Sequence, residues 1–350
     1  MSYSEAMRFH RHLLLLSVLA YTPVQAQELT DSTSIEITRS WEQEPGGWTY
    51  PMHVRVPDGP PPQGGFPVCI LLHGNGGNGL DMVNGFSQLF DCHALVAPSG
   101  YAASWNICGE NSDAPDVEML GELVDTLQVF TNVNPNSIRV LGFSNGAALA
   151  NRLLIENDDP GIETIAAVVS QLTEGQFHDG GFHAPSGETD PDLPLCGYDQ
   201  PETVATGRRY LSICNQNDPI IPFFGGESIV GVDFVDAWAA AWEVARTQGY
   251  AGPPLGGTGQ QIGNTGVYVY AYLDGDVTLL RGFAGHGINP TQEQYLVEFL
   301  RDCEPVECDG DLTGDGTVNV DDLLEVISNW STPWGIDDLL LVIAGWGSCQ

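Results

Sequence analysis

The chain has 350 residues and a formal net charge of −35, from 46 acidic and 11 basic side chains. This length suits one large domain with a smaller unit attached. A surface this acidic repels the phosphates of nucleic acids and of anionic membranes, so neither is an expected partner.

The N-terminus has the three-part pattern of a secretory signal peptide. Arg8 and Arg11 form a basic segment, residues 13–21 are apolar, and small or polar residues lead to Ala26. The apolar run is too short to span a bilayer. We therefore expect residues 1–26 to be a signal peptide and the protein to be secreted, with a main domain at 27–302.

The main domain alternates buried-strand and helix patterns. Continuous apolar runs are typical of strands covered on both faces, and helical periodicity fills the intervals between them. This alternation predicts an α/β fold with a doubly wound, mostly parallel sheet. The predicted strands are residues 66–72, 94–97, 138–141, 165–169 and 210–213, and the helices are 117–130, 147–155, 234–245 and 291–301.

Three further features of the sequence are a hairpin turn, an irregular insertion and the number of cysteines. Residues 267–272 and 277–282 flank Asp274 and Gly275, which indicates a hairpin. Residues 173–203 lack an apolar period and predict an irregular insertion, either a lid over a site or a surface excursion. The exported part carries eight cysteines, an even number that favours disulfides over zinc.

Residues 142–146 read Gly-Phe-Ser-Asn-Gly between a predicted strand and a predicted helix. This is the G-x-S-x-G nucleophile elbow in the strand–turn–helix setting that it requires. The flanking glycines allow close packing around a strained serine, and the helix N-terminus favours developing negative charge. The motif predicts Ser144 as a nucleophile.

A serine nucleophile of this type is followed along the chain by an acid and then by a histidine. His286, between two glycines after the last predicted strand, is the candidate base. Asp218, in the loop after the strand at 210–213, is the candidate acid. Asp233 and Asp236 are alternatives, but their positions are more typical of a helix cap and a solvated face.

An oxyanion hole needs backbone N–H groups close to the nucleophile. Asn145 follows Ser144 directly and is predicted to supply one donor. The glycine-rich segment 73–79 is predicted to supply the other, from Asn75 or, as the alternative, Gly76. We interpret His73, at the start of this segment, as a structural histidine.

Several segments of the main domain resemble the polyhydroxybutyrate depolymerase and feruloyl esterase group of α/β-hydrolases, close to carbohydrate esterase family 1. The resemblance implies an α/β-hydrolase fold, a Ser-Asp-His triad that hydrolyses polymer-linked esters, and no cofactor for catalysis. Trp105 lies in a matching segment and either lines the acyl pocket or belongs to the core. The chain departs from the group at residues 214–217, where the group has His-Gly-Thr. The matching segments are residues 71–74, 104–106, 116–117, 142–146, 217–219 and 285–286.

The C-terminal segment 303–350 carries an oxygen-rich loop with the spacing of an EF-hand calcium site. A glycine at position 6 allows the sharp turn that such a loop needs. Position 12 is an aspartate instead of the usual glutamate. The predicted Ca²⁺ ligands are Asp311, Thr313, Asp315, Thr317, Asn319 and Asp322.

An internal repeat follows this loop, because residues 321–330 recur as 337–346. Each copy predicts one amphipathic helix, and two such helices are expected to pack together. The arrangement resembles a type I dockerin, which implies a small all-α module and a cohesin-like or cell-surface partner. The second copy lacks preceding carboxylates, so we expect a single calcium site.

These observations favour a secreted serine esterase that acts on feruloyl or acetyl esters of a polysaccharide. A polyhydroxyalkanoate depolymerase would use the same chemistry on a polyester substrate. A binding protein on an inactive hydrolase scaffold is the remaining alternative, and the complete set of Ser144, Asp218 and His286 argues against it.

Overall fold

The computed structural model describes residues 27–187, 189–257, 259–301, 310–313, 317–331 and 333–348. The predicted signal peptide lies outside the described residues. The strands are β1 Thr38–Arg39, β2 Trp48–Thr49, β3 Met52–Arg55, β4 Phe66–Leu72, β5 Ala94–Pro98, β6 Val133–Phe143, β7 Ile162–Val168, β8 Phe177–His178, β9 Gly181–Pro185, β10 Tyr198–Glu202, β11 Arg209–Asn215, β12 Gly226–Glu227, β13 Asp233–Phe234, β14 Gln260–Gln261, β15 Tyr268–Tyr272, β16 Val277–Gly282, β17 Thr317–Val318 and β18 Gly347–Ser348. The helices are α1 Gly79–Phe86, α2 Asp116–Gln128, α3 Asn145–Glu156, α4 Ala237–Thr247, α5 Pro290–Leu300, α6 Val320–Ser328 and α7 Ile336–Ala344.

The central sheet has nine strands in the order β14-β15-β16-β11-β7-β6-β4-β5-β3. The run from β16 to β5 is parallel, whereas β15 pairs antiparallel with β16 and β3 pairs antiparallel with β5. Parallel strands direct their carboxyl ends to one edge of the sheet, where α/β proteins place their sites. The prediction of an α/β-hydrolase-type fold with a mostly parallel sheet is confirmed.

Both faces of the sheet are buried, which explains the continuous apolar strand sequences. Along β4, Val68, Ile70 and Leu72 belong to one buried cluster, and Cys69 and Leu71 belong to the other. The first cluster includes side chains of α2, α3 and α4, and the second includes side chains of α1 and α5. Within the described residues, no helix is long and apolar enough to cross a membrane.

The insertion at 173–203 is more regular than the sequence predicts. It contains a three-stranded antiparallel sheet of β8, β9 and β10. The strands are short and the β9–β10 register shifts near Tyr198, so no apolar alternation develops. A disulfide joins Cys196 in the insertion to Cys108. Cys69 and Cys214, by contrast, are buried free thiols, so not every cysteine is paired as the even count favoured.

The C-terminal segment is not all-α, which corrects the sequence prediction. Strands β17 and β18 pair antiparallel, because the chain before α6 and the chain after α7 run side by side. The repeated helices do pack together, with Val318, Val326 and Val342 fully buried between them. The apolar face of each helix is wider than the surface that the other helix covers. Four apolar side chains are therefore about half exposed: Leu324, Ile327, Leu340 and Ile343.

Candidate active site

Ser144 lies at a sharp turn between the end of β6 and the start of α3. Its φ of 53° and ψ of −116° are unusual for a residue with a side chain and store backbone strain. Glycine is required at both flanking positions, because any side chain there would clash with neighbouring backbone atoms. A Cβ at Gly142 would lie 2.1 Å from Gly146 O, and a Cβ at Gly146 would lie 2.4 Å from Leu72 O. The turn is therefore the predicted nucleophile elbow.

Three residues far apart in sequence form one hydrogen-bonded chain. The Ser144 hydroxyl donates to His286 Nε2 at 2.8 Å, and His286 Nδ1–H donates to Asp218 Oδ2 at 2.8 Å. The other oxygen of Asp218 accepts from Ile220 N and Ile221 N at 2.8 and 3.1 Å. The Asp218 side chain is 2% exposed and that of His286 19%. The carboxylate of Asp218 is thus held in place and shielded from solvent, while the imidazole of His286 remains accessible to solvent.

The loop that carries His286 is tied to the end of β11. Asn215 Nδ2 donates to Gly285 O at 2.9 Å and to Gly287 O at 2.8 Å, one carbonyl on each side of the histidine. Asn217 Oδ1 accepts from Gly285 N at 3.0 Å. The anchoring of the histidine loop by Asn215 and Asn217 was not predicted from the sequence. The run of polar residues between the buried strand and Asp218 could have indicated it. These residues are part of the departure from the His-Gly-Thr pattern.

The neighbouring backbone decides between the two predicted oxyanion donors in segment 73–79. Gly76 N–H donates to Ala103 O at 2.8 Å and is therefore engaged. Asn75 lines the same cavity as Ser144, and its N–H has no acceptor within the described part of the chain. Asn145 is the first residue of α3, where an N–H has no partner within the helix. The geometry favours Asn75 and Asn145.

Of the two alternatives for Trp105, the structure agrees with the core and not with a substrate contact, because Trp105 does not line the cavity. It is fully buried, and its Nε1–H donates to His73 O at 2.8 Å. His73 is also buried, with Nδ1–H donating to Gly74 O and Nε2 accepting from Gly100 N. Burial lowers the pKa of His73, and both ring nitrogens are satisfied in the neutral form. These two side chains belong to the core, as predicted for His73.

The side chain of Asn145 is held by a network that sequence analysis did not anticipate. Asn145 Oδ1 accepts from Trp105 N at 2.7 Å, and Nδ2 donates to Glu110 Oε1 at 3.1 Å. Glu110 Oε2 also accepts from Cys108 N and Ile107 N, at 2.7 and 3.1 Å. Burial raises the pKa of Glu110, and the hydrogen bonds from the backbone oppose that rise.

A cavity of about 240 Å³ opens at Ser144. By comparison, an apolar cavity of roughly 150 Å³ accommodates benzene, so this one has space for a short acyl chain or one substituted ring. Its lining includes both apolar and polar residues. The lining residues are Asn75, Ile107, Gly109, Glu110, Asn111, Ser144, Asn145, Ala148, Ser170, Thr173, Ile221, Val230, Val232 and Phe234.

The two alternative acids do not contact His286. Asp236 is the N-cap of α4, where Oδ1 accepts from Trp238 N at 2.9 Å and Ala239 N at 3.1 Å. Asp233 is an exposed residue of β13. The sequence predicted a cap at Asp233 and a solvated helix position at Asp236, and the structure exchanges these roles because α4 begins only at Ala237.

The predicted calcium loop is described in part. Positions 1, 3 and 12 converge, since the Thr313 hydroxyl lies 2.9 Å from Asp322 Oδ1 and 3.3 Å from Asp311 Oδ1. Asn319 Oδ1 caps α6 by accepting from Asp321 N. Asp315 and the side chain of Thr317 lie outside the described residues.

The described oxygens fit calcium in kind, because the ion takes carboxylate, amide and carbonyl oxygens. Burial acts to raise the pKa of Asp322, but hydrogen bonds, the first of them from Asn319 N, bring the pKa below its usual value. The ionised form that a cation needs is therefore favoured. Within the described residues, no group of three His, Cys, Asp or Glu side chains could hold a metal ion without other donors.

The fold and the site together have the arrangement of α/β-hydrolases, with a serine elbow, a histidine loop and an acid at one edge of a parallel sheet. No family model matches the chain. The chain is similar to a protein of Nocardia uniformis subsp. tsuyamanensis named "Putative esterase NocK", with 28% identity over 221 residues. The match covers 60% of this chain and 56% of that protein, so the chain spans little more than half the length of this relative.

Solved structures with a similar course of the chain include two esterases. The carboxylesterase of Bacillus cereus is 14% identical, with a TM-score of 0.46 over 72% of this chain and 93% of that one. The acetyl xylan esterase of Aspergillus awamori is 12% identical, with a TM-score of 0.49 over 71% of this chain and 93% of that one.

Proposed function

We propose that the chain is a carboxylic ester hydrolase in which Ser144 is the nucleophile, His286 the general base and Asp218 the orienting acid. The observation that carries this proposal is the hydrogen-bonded chain between the three side chains, with both contacts at 2.8 Å, at a strained elbow. The same three roles recur on unrelated folds and are recognised by this geometry.

The reaction proceeds through an acyl-enzyme. Ser144 Oγ attacks the ester carbonyl carbon while its proton passes to His286 Nε2, and Asp218 stabilises the imidazolium. The N–H groups of Asn75 and Asn145 donate to the tetrahedral oxyanion. The intermediate collapses, the C–O bond to the alcohol breaks, and His286 returns the proton to the departing alkoxide. Water, activated by the same histidine, then releases the acid and restores Ser144.

The proposed substrates are feruloyl or acetyl esters on a polysaccharide. The resemblance of segments 71–74, 142–146 and 285–286 to the feruloyl esterase group supports this class, and the cavity volume is compatible with either acyl group. A polyhydroxyalkanoate depolymerase is the second candidate, since the same segments resemble both groups. No cofactor is proposed for catalysis.

Three further proposals concern the ends of the chain. The pattern of residues 1–26 supports secretion. The convergence of Asp311, Thr313 and Asp322 supports Ca²⁺ binding at the C-terminal segment. The dockerin-like repeat supports a cohesin-like or cell-surface partner.

The nucleophile is tested with a fluorophosphonate probe and p-nitrophenyl acetate. Wild type is expected to be labelled and active, whereas Ser144→Ala loses labelling and at least roughly 10³-fold in turnover. Ser170→Ala is the matched control, because Ser170 is another serine that lines the cavity. Labelling that persists in Ser144→Ala, or disappears in Ser170→Ala, contradicts the assignment. A panel of methyl ferulate, acetylated xylan and polyhydroxybutyrate film then separates the substrate classes.

A further inference from the structure

Glu110 is a carboxylate of the active-site cavity that the proposed reaction does not use. It lines the same cavity as Ser144 and hydrogen-bonds the side chain of Asn145, the residue that follows the nucleophile. Of the described residues that line this cavity, Glu110 is the one with an ionisable acid or base. The remaining lining side chains are apolar or neutral polar groups.

Burial raises the pKa of Glu110, whereas the groups that hydrogen-bond to its oxygens stabilise the ionised form. Three described groups donate to its oxygens, namely Ile107 N, Cys108 N and Asn145 Nδ2, and the backbone N–H of Glu110 itself also lowers the pKa of the carboxyl. A protonated carboxyl would have to turn an O–H towards one of these donors.

Arg152, the cation that acts on Glu110, does not cancel this charge. Arg152 is close enough to act on Glu110, but its Nε and one terminal nitrogen donate to the two oxygens of Glu156, at 2.6 and 2.9 Å. Its other terminal nitrogen donates to Asn106 O at 2.7 Å. Arg152 and Glu156 thus form a bidentate pair, and Arg152, which makes no hydrogen bond to Glu110, offsets the charge of Glu110 in part.

From this geometry we propose that Glu110 is a specificity-determining residue, which makes the cavity select esters whose inserted group is uncharged or cationic and reject esters whose inserted group is anionic. The inference rests on the proposed esterase function and adds the charge class of the substrate. A hydroxyl-bearing group, such as a sugar or a phenol, is uncharged and avoids this repulsion. A free carboxylate or sulfonate placed there would face the carboxylate of Glu110 across a partly apolar cavity.

The size of the effect follows from Coulomb's law. Two like charges about 6 Å apart at an effective dielectric near 20 disfavour binding on the order of 100-fold. Solvent that reaches the cavity reduces this value. We therefore expect kcat/KM for an anionic ester to fall at least roughly tenfold below that of its neutral analogue.

Two series of esters locate the charge on either side of the scissile bond. The acyl series is p-nitrophenyl butyrate with its 4-trimethylammonio and 4-sulfo analogues. The alcohol series is 3,3-dimethylbutyl acetate, acetylcholine and 2-sulfoethyl acetate. Because each result is a ratio of kcat/KM within a series, a general loss of activity in a variant cancels. In at least one series, wild type is expected to prefer the cationic and neutral members to the anionic member.

Substitutions at Glu110 separate its charge from its structural role. Glu110→Gln and Glu110→Ala should each raise the anionic-to-neutral ratio at least roughly fivefold, and the alanine variant leaves space for water to satisfy the three donors. Glu110→Asp keeps the charge and should keep the wild-type ratio even where the rate falls. Glu174→Gln is the matched control, since Glu174 lines adjacent cavities but not the one at Ser144.

The outcomes are distinguishable. Equal ratios in wild type for both series overturn the role of Glu110 while esterase function stands. A ratio that is unchanged in the Gln and Ala variants, or that shifts equally in Glu174→Gln, assigns the selectivity to the general negative field and also overturns the proposal. Absence of turnover of every neutral ester, together with absence of fluorophosphonate labelling, overturns the esterase function and this inference with it.

Discussion

The two oxygens of Asp218 have different partners, which makes an asparagine substitution informative. In Asp218→Asn, the amide oxygen can keep the bonds from Ile220 N and Ile221 N. The NH₂ group then faces His286 Nδ1 and forces that nitrogen to accept, so Nε2 carries the proton and cannot take one from Ser144. We expect kcat to fall on the order of 10⁴-fold with little change in stability. Steady-state kinetics and thermal melting measure both quantities.

Asp236→Asn is the control for that variant. Asp236 caps α4, and asparagine caps a helix about as well as aspartate does. Its turnover should therefore remain close to wild type. A large loss of kcat in Asp236→Asn, with little loss in Asp218→Asn, would move the role of the orienting acid to Asp236.

Asp116 gives a pH-dependent prediction for stability. It is fully buried and accepts from Tyr50 OH at 2.9 Å and Asn106 N at 2.8 Å. Burial raises its pKa from 3.8 to about 7. Between these values the unfolded chain has released the proton and the folded chain still holds it. Stability therefore falls as pH rises from about 4 to about 7, by up to about 4 kcal/mol, and then levels off.

Asp116→Asn should remove this dependence. The amide oxygen can accept from Asn106 N, and the NH₂ group can donate to Tyr50 OH. Urea unfolding at pH 5 and pH 8 should show the variant gaining about 3 kcal/mol relative to wild type over that interval. Asp125→Asn, an exposed substitution on the same helix, should show no such gain. Parallel curves for Asp116→Asn and wild type would contradict the raised pKa.

At the scale of elements, the elbow depends on how closely α3 approaches β4. A Cβ at Gly146 would lie 2.4 Å from Leu72 O and 2.5 Å from His73 O, both backbone atoms. Gly146→Ala must move the helix from the strand, and with it the N–H of Asn145. We expect a loss of at least about 2 kcal/mol in the free energy of unfolding and a loss of turnover.

Gly85→Ala provides the comparison within another helix. A Cβ at Gly85 in α1 meets nothing within 4 Å, so alanine should stabilise by about 0.5–1 kcal/mol through helix propensity. Denaturant midpoints of the two variants should therefore shift in opposite directions. A Gly146→Ala protein with wild-type stability and activity would show that the elbow is not sterically constrained.

At the scale of the whole molecule, the C-terminal segment should respond to calcium independently of catalysis. Its buried core is small, with Val318, Val326 and Val342 at its centre. Without an ion, the carboxylates of Asp311 and Asp322 repel each other across Thr313. Chelation of the full-length protein should therefore unfold this segment, as seen by loss of amide-exchange protection in 317–348. Turnover of p-nitrophenyl acetate should stay within about twofold, since the triad lies in the main domain.

The internal repeat supplies a matched control for the calcium test. Asp338 occupies the position in the second copy that Asp322 occupies in the first, and it caps α7 by accepting from Gly335 N at 2.7 Å. Asp322→Asn should weaken the heat of calcium binding in calorimetry, whereas Asp338→Asn should leave it unchanged. Absence of any calcium heat in wild type, or loss of turnover on chelation, would contradict a separate calcium module.

The sequence by itself determined the long buried strands, helices α2 to α5, the nucleophile elbow and the chain order of Ser144, Asp218 and His286, but it did not predict α1. Those features are local or depend on order alone: a buried parallel strand needs a continuous apolar run, and a tight elbow needs glycine. Even the C-terminal repeat was visible, because it repeats residue by residue. Short elements were not visible in the sequence, because two-residue strands such as β17 and β18 are too short to show an alternation of apolar and polar residues.

Only the tertiary structure decided what surrounds the triad. The contact between Ser144 and His286 joins residues 142 apart, and the bonds of Asn215 to the histidine loop join residues about 70 apart. Such contacts have no local signature, because any polar side chain after a strand is compatible with them. For the same reason, Trp105 in the core, Gly76 engaged by Ala103, and Glu110 inside the cavity became visible only when the strands brought distant loops to one edge of the sheet.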